Sequence, residues 1–128
     1  MIVYQNFIGI DMGKWSFTIS IYGQKTTTEY ENTTIGISEF IQDHEGILPN
    51  SLCVVEATGG YELSLLYALC VANYAIHRAD ARKVKNFIRS FGNSSKTDAL
   101  DAKSISRYGK ERADDLALFM PSSTVTIT

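Results

Sequence analysis

The sequence has no long uncharged run. The longest, Leu63 to His77, is too short to cross a bilayer and carries Ser64, Asn73 and His77, so a spanning helix is excluded. No basic segment precedes the first apolar run, and Met1-Ile-Val-Tyr-Gln-Asn does not read as a secretory signal. Cysteine is scarce. Cys53 and Cys70 sit inside apolar segments at no metal-ligand spacing, which makes a reducing cytoplasm the expected compartment. His44 and His77 stand alone, one in a polar helix and one at a strand end, and read as surface or internally satisfied histidines. There is no internal repeat and no low-complexity tract. What remains is 128 residues, 45% hydrophobic and 11% aromatic, the size and balance of one globular domain with a core of its own.

Positive charge is nearly missing from the first part of the chain. Residues 1–77 hold eight acids and two bases, a net of −6, whereas residues 78–112 hold ten bases and four acids, a net of +6. The overall net charge of −2 therefore hides a basic segment, the footprint expected of a nucleic-acid partner. Within it, Arg82, Lys83, Lys85, Arg89, Lys96, Lys103 and Arg107 are the candidate phosphate contacts; the bland alternative is a solvated helix face.

The rhythm of the chain predicts an α/β fold. Phe7 to Asp11 is a short apolar strand, Ser16 to Tyr22 alternates as a second, and Lys25 to Glu31 returns after a Gly23-Gln24 turn. Ser38 to Glu45 reads as a short helix, with Ile35-Gly36 as a turn before it. Leu52 to Glu56 is a buried-type strand, Tyr61 to Ala72 a deeply buried helix and Tyr74 to Ala79 a strand. Asp80 caps a helix over Ala81 to Ser90, and a last helix runs from Thr97 to about Lys110. An antiparallel meander thus feeds a parallel segment in a mixed five-stranded sheet with flanking helices.

Four acids fall at informative places. Asp11 ends the first strand and Glu56 the fourth; if these strands are parallel neighbours, both carboxylates leave the edge where α/β sheets place ligands. Taken singly, Asp11 reads equally as a turn acid before Gly13, and Glu56 as a helix-dipole partner. Asp98 and Asp101 lie three apart, and their stripe continues to Ile105 and Tyr108, which predicts a core-facing pair. Ser95 to Asp98 also forms a capping box, an alternative duty for Asp98. Four converging carboxylates with no His or Cys suit two Mg²⁺ or Mn²⁺ ions, which would neutralise them and serve phosphodiester chemistry.

The blocks Gly9-Ile-Asp11-Met-Gly-Lys, Val55-Glu56-Ala-Thr-Gly-Gly-Tyr61 and Lys96-Thr-Asp98-Ala-Leu-Asp101-Ala102 resemble the three signatures of the DEDD insertion-sequence transposases, the group of the pilin-gene inverting recombinase. The resemblance covers about residues 6–120. It implies a RuvC-like, ribonuclease-H-type fold and a catalytic, metal-binding tetrad of Asp11, Glu56, Asp98 and Asp101. It also implies a DNA partner, in many members a guide RNA encoded by the element, and a homo-oligomer in the full-length protein. Full members continue into a second domain that carries a serine nucleophile. The expected organisation is therefore a catalytic domain over residues 1–112, with residues 113–128 starting the connection to a C-terminal domain.

Other residues invite function but carry plain alternatives. Gly59-Gly60 is either a phosphate cradle or a tight turn. Trp15, Tyr61 and Tyr108 read first as core contacts, with shielding of the site (Trp15) or base stacking (the tyrosines) as the functional alternative. Three rival functions stand beside the transposase reading: a non-catalytic nucleic-acid module of the same fold, a resolvase-type endonuclease, and a nucleotide-binding fragment of the actin-like ATPases. The last requires a second Asp-x-Gly phosphate loop, and Ala57-Thr-Gly-Gly60 lacks it.

Overall fold

β-branched and aromatic residues at alternating positions build β1 (Asn6–Met12), β2 (Ser16–Ile21) and β3 (Thr27–Glu31), which pair antiparallel in that order. The continuously apolar β4 (Ser51–Glu56) then lies parallel to β1, and β5 (Ala75–Ala79) parallel to β4. The computed structural model describes residues 3–90 and 101–120, and its sheet has the order β3-β2-β1-β4-β5. The expected mixed five-stranded α/β sheet is the one observed.

Helices cover both faces. α1 (Thr34–Asp43) and α2 (Leu63–Val71) bury Ile37, Phe40, Leu65, Leu66 and Leu69 against Ile8, Ile10, Phe17, Ile19, Cys53 and Val55. On the other face, α3 (Ala81–Arg89) and α4 (Ala102–Arg112) bring Val84, Phe87, Ile105 and Tyr108 onto Leu52 and Val54. The period of two along β1 decides what each face receives. Ile8, Ile10 and Met12 enter the first core, so Gly9 and Asp11 belong to the α4 face.

Gly9 is what lets α4 sit so close. A methyl group on it would overlap the Ala102 carbonyl and the Ser106 amide, so the helix rests directly on the strand's backbone. The last described residues return to the sheet: the Phe119 amide donates to Ile76 O at 2.7 Å, and the Phe119 ring meets Tyr67 edge-on.

Two boundaries differ from the sequence reading by more than two residues. α1 begins at Thr34 rather than Ser38, because Thr33 Oγ1 accepts from the Gly36 amide and caps the helix there. Ile35-Gly36 is therefore helical, not a turn. The last helix begins, among the described residues, at Ala102, and Thr97 to Leu100 lie outside them.

Candidate nucleic-acid and metal site

The parallel register puts two acids side by side. Ile10 pairs with Val55, so Asp11 and Glu56 are the next residues in step at the carboxyl ends of adjacent strands. Both share the parity of Gly9 and Val54, the positions against which α4 packs. Asp101 stands at the start of that helix, where its Oδ1 accepts from the Ser104 amide at 2.8 Å.

This placement corrects the expected core-facing stripe. Asp101 has an extended backbone, with φ −97° and ψ 170°, and is exposed, while Ile105 and Tyr108 are buried. The aspartate caps α4 at its start instead of lying within a helix, the local competition in which short acids excel. Asp98, like Lys96, lies outside the described residues.

Asp101 acts on Asp11, and Asp11 in turn on Glu56. Burial pushes the Asp11 carboxyl above its ordinary value, and the nearby Asp101 charge adds to the rise. Burial likewise raises Glu56, with Asp11 and, more weakly, Glu62 adding to it and the Lys85 ammonium pulling it back. Neither Asp11 nor Glu56 accepts a hydrogen bond from a described residue. Half-buried carboxylates that repel each other and lack donors are in the state that a cation relieves. The donor set is oxygen-only, as a hard divalent ion requires. Among the described residues, however, no group of three or more His, Cys, Asp or Glu side chains is placed to hold an ion.

Glu62, one turn of chain beyond Glu56, is the opposite case and was not foreseen. It is fully buried, and its Oε1 accepts from the Thr58 amide at 3.0 Å, the Thr58 hydroxyl at 2.9 Å and the Gly60 amide at 3.1 Å. Its Oε2 takes Arg78 Nη2 at 2.6 Å and Nε at 2.9 Å. Burial alone would raise this carboxyl; the bonds from Thr58, its own amide and Arg78 outweigh burial and hold it at about 2. The turn that folds over it needs positive φ at Gly59 (77°) and Gly60 (114°). The Gly60 amide is thus engaged by Glu62, which favours the tight-turn reading of these glycines over a phosphate cradle.

A second brace is Asn32. Its Nδ2 donates to Gly13 O and to Tyr61 O, each at 3.1 Å, tying the loop after β1 to the loop after β4. A glutamate with Thr58 four residues before it was the sole local signal for the first brace; Asn32 offered none, because its partners are 19 and 29 residues away.

The basic candidates divide by element. Arg82, Lys85 and Arg89 share one exposed stripe of α3, with Lys83 beside it, and Asp80 caps the helix through the Arg82 amide at 2.8 Å. Lys85 is close enough to act on Glu56, so this stripe borders the acids. On α4, Lys103 donates to Lys25 O at 2.7 Å and Arg107 pairs with Glu111 at 3.3 Å. Tyr108 is buried, whereas Trp15 and Tyr61 are 76% and 46% exposed and are not core contacts. His44 and His77 are satisfied by Phe40 O and Ala117 O, as isolated histidines should be.

Comparison with known proteins bears on the family and the fold. The family model for DEDD transposases of the IS110 type, described as a transposase, matches residues 8–126. Among solved structures, the Thermus thermophilus RuvC structure is similar, with a TM-score of 0.55 over 90% of this chain and 100% of that one. The two are 11% identical, so the likeness is one of fold. No curated protein matches the chain.

Proposed function

The chain belongs to the IS110-type DEDD transposase family, and from that premise we propose that it forms the metal-binding catalytic part of a DNA recombinase. The observation that supports the reading is that Asp11, in step with Glu56 on the neighbouring strand, is opposed by the charge of Asp101, with no described donor to either strand carboxylate. Asp11, Glu56 and Asp101, together with Asp98, would hold Mg²⁺ or Mn²⁺, two ions by the charge of the set. When bound, such ions polarise a phosphodiester and favour attack on it by an oxygen nucleophile.

The protein's own residues supply position. β1 and β4 hold Asp11 and Glu56 in register, and the α4 cap sets Asp101 against them. Glu62 with Thr58, Gly60 and Arg78 stiffens the loop directly after Glu56. The stripe of Arg82, Lys85 and Arg89, with Lys83, receives the phosphate backbone of DNA beside the acids, and Lys96, Lys103 and Arg107 are further candidate contacts by their charge. In this reading, residues 1–112 are the catalytic domain and residues 113–128 open the connection to a C-terminal domain. A guide RNA and a homo-oligomer belong to the complete transposase.

A second reading is a nucleic-acid module of this fold without chemistry. It is favoured by one observation: no three acids among the described residues are placed to hold an ion. The two readings separate on Asp11→Asn and Asp101→Asn in the complete transposase. The catalytic reading expects recombination to vanish while DNA binding stays; recombination at the wild-type rate overturns it.

A further inference from the structure

The chain's one tryptophan is exposed in the turn that follows the Asp11 strand, and its backbone is held from two sides. The Gly13 amide donates to Ser16 O at 2.8 Å, closing the turn between β1 and β2 four residues or fewer after Asp11. Asn32 donates its backbone amide to Trp15 O at 2.9 Å and its side chain to Gly13 O at 3.1 Å. The same Asn32 side chain holds Tyr61 O, so a second exposed aromatic is anchored to this hub. Thus the backbone around Trp15 is fixed while 76% of the residue remains exposed.

Burying an indole is worth a few kcal/mol, so a rigid turn that withholds it from the core is an arrangement with a cost. Lys14 adds a second feature. Its ammonium lies over the Trp15 ring, 4.8 Å from the centroid, which places a positive charge on one π-face of the exposed indole. An aromatic face paired with a cation is the combination that contacts a nucleic-acid strand, the face meeting a base and the cation a phosphate. It is ill suited to a flat apolar protein contact, which would have to desolvate the ammonium.

We propose that the Lys14–Trp15 turn is a nucleobase-stacking site for an unpaired strand, DNA or RNA, at the mouth of the Asp11–Glu56 edge. The inference rests on the nucleic-acid reading given above and adds the kind of contact: stacking, indifferent to base identity, on a strand that is not paired. A duplex keeps its bases stacked on one another and offers this turn only phosphates.

Because Trp15 is the single tryptophan, its emission reports the contact directly. The 128-residue chain is titrated with a short unlabelled DNA strand, the RNA of the same sequence, the matching duplex, and a strand in which bases are replaced by abasic sites. Binding is followed in parallel by anisotropy of labelled versions of the same probes. Stacking predicts quenching by one or both single strands, little by the duplex and none by the abasic strand. Trp15→Ala weakens single-strand binding by about 5- to 150-fold, the range for one stacked base, and Trp15→Phe restores most of it. Binding seen by anisotropy with unchanged emission and an unchanged Trp15→Ala affinity overturns the proposal but leaves the nucleic-acid reading standing. Equal quenching by the abasic strand also overturns it, because the contact is then with the backbone alone. Absence of binding in both readouts overturns the proposal together with the reading beneath it.

Discussion

Glu56 and Glu62 stand six positions apart on the same loop and are treated oppositely by the fold. Glu62 is fully buried, accepts four hydrogen bonds, pairs with the Arg78 guanidinium and is held to a pKa of about 2. Glu56 is half-buried, receives no hydrogen bond from a described residue and has its carboxyl pushed up by burial and by Asp11. Asp11 shares that condition, with Asp101 as its opponent. A buried carboxylate wired to donors and a guanidinium is a structural part. Carboxylates left repelling one another at a sheet edge destabilise the fold unless a cation joins them, and that cost is tolerated where function needs it.

Glu62→Ala is the change expected to cost most. It strands the Thr58 and Gly60 donors and leaves the Arg78 charge without its partner, a loss of about 3–5 kcal/mol in chemical denaturation. A loss below about 1 kcal/mol would erase the distinction between the two glutamates. Next in size is Gly9→Ala, which forces α4 off β1 and costs about 1–3 kcal/mol. The same variant moves Asp101 relative to Asp11, so Mn²⁺ affinity should fall even under conditions where the protein remains folded.

Stability as a function of pH tests both carboxylate types at once. Glu62 has a folded pKa of about 2 against an ordinary 4.5, so its contribution, roughly 3 kcal/mol, is present above pH 4.5 and is lost as pH falls through 2. Asp11 and Glu56 have raised folded values. Their penalty is fully present above those values and disappears below their ordinary 3.8 and 4.5. The double variant Asp11→Asn/Glu56→Gln should therefore exceed the wild type in stability at pH 7, and the gap should close as pH falls to 4. A gap that widens on acidification contradicts the assignment. Smallest is Lys85→Ala, which removes the one cation among the described residues that acts on Glu56. Stability should change by less than about 0.5 kcal/mol, while the Glu56 carboxyl, followed by NMR, titrates higher still.

How far the sequence told this in advance depends on the range of each interaction. Strand alternation at Ser16 to Ile21 and the apolar run at Leu52 to Val55 are local patterns, and they marked the strands to within a residue or two. The position of Asp11 and Glu56 at strand ends followed from those patterns, and parallel pairing then brought them together. Asp101 was harder, because three-residue spacing suggests a helical face whereas an aspartate can as readily end a segment by capping. Glu62 was hard to read for another reason: beyond Thr58, its charged partner, Arg78, lies 16 residues away on β5. Arg78 itself was counted as part of a basic surface, and only folding reveals that its charge is bound to a buried acid. The exposure of Trp15 is a tertiary fact of the same kind, since apolarity alone assigns an indole to the core.

Anomalous scattering from manganese-soaked crystals of this chain puts the central claim, that the unwired carboxylates await a cation, to its most direct test. The account predicts a manganese peak bound by two or more of Asp11, Glu56, Asp98 and Asp101, and no peak at Glu62. Absence of any peak at saturating manganese, with the four carboxylates splayed apart, would contradict it.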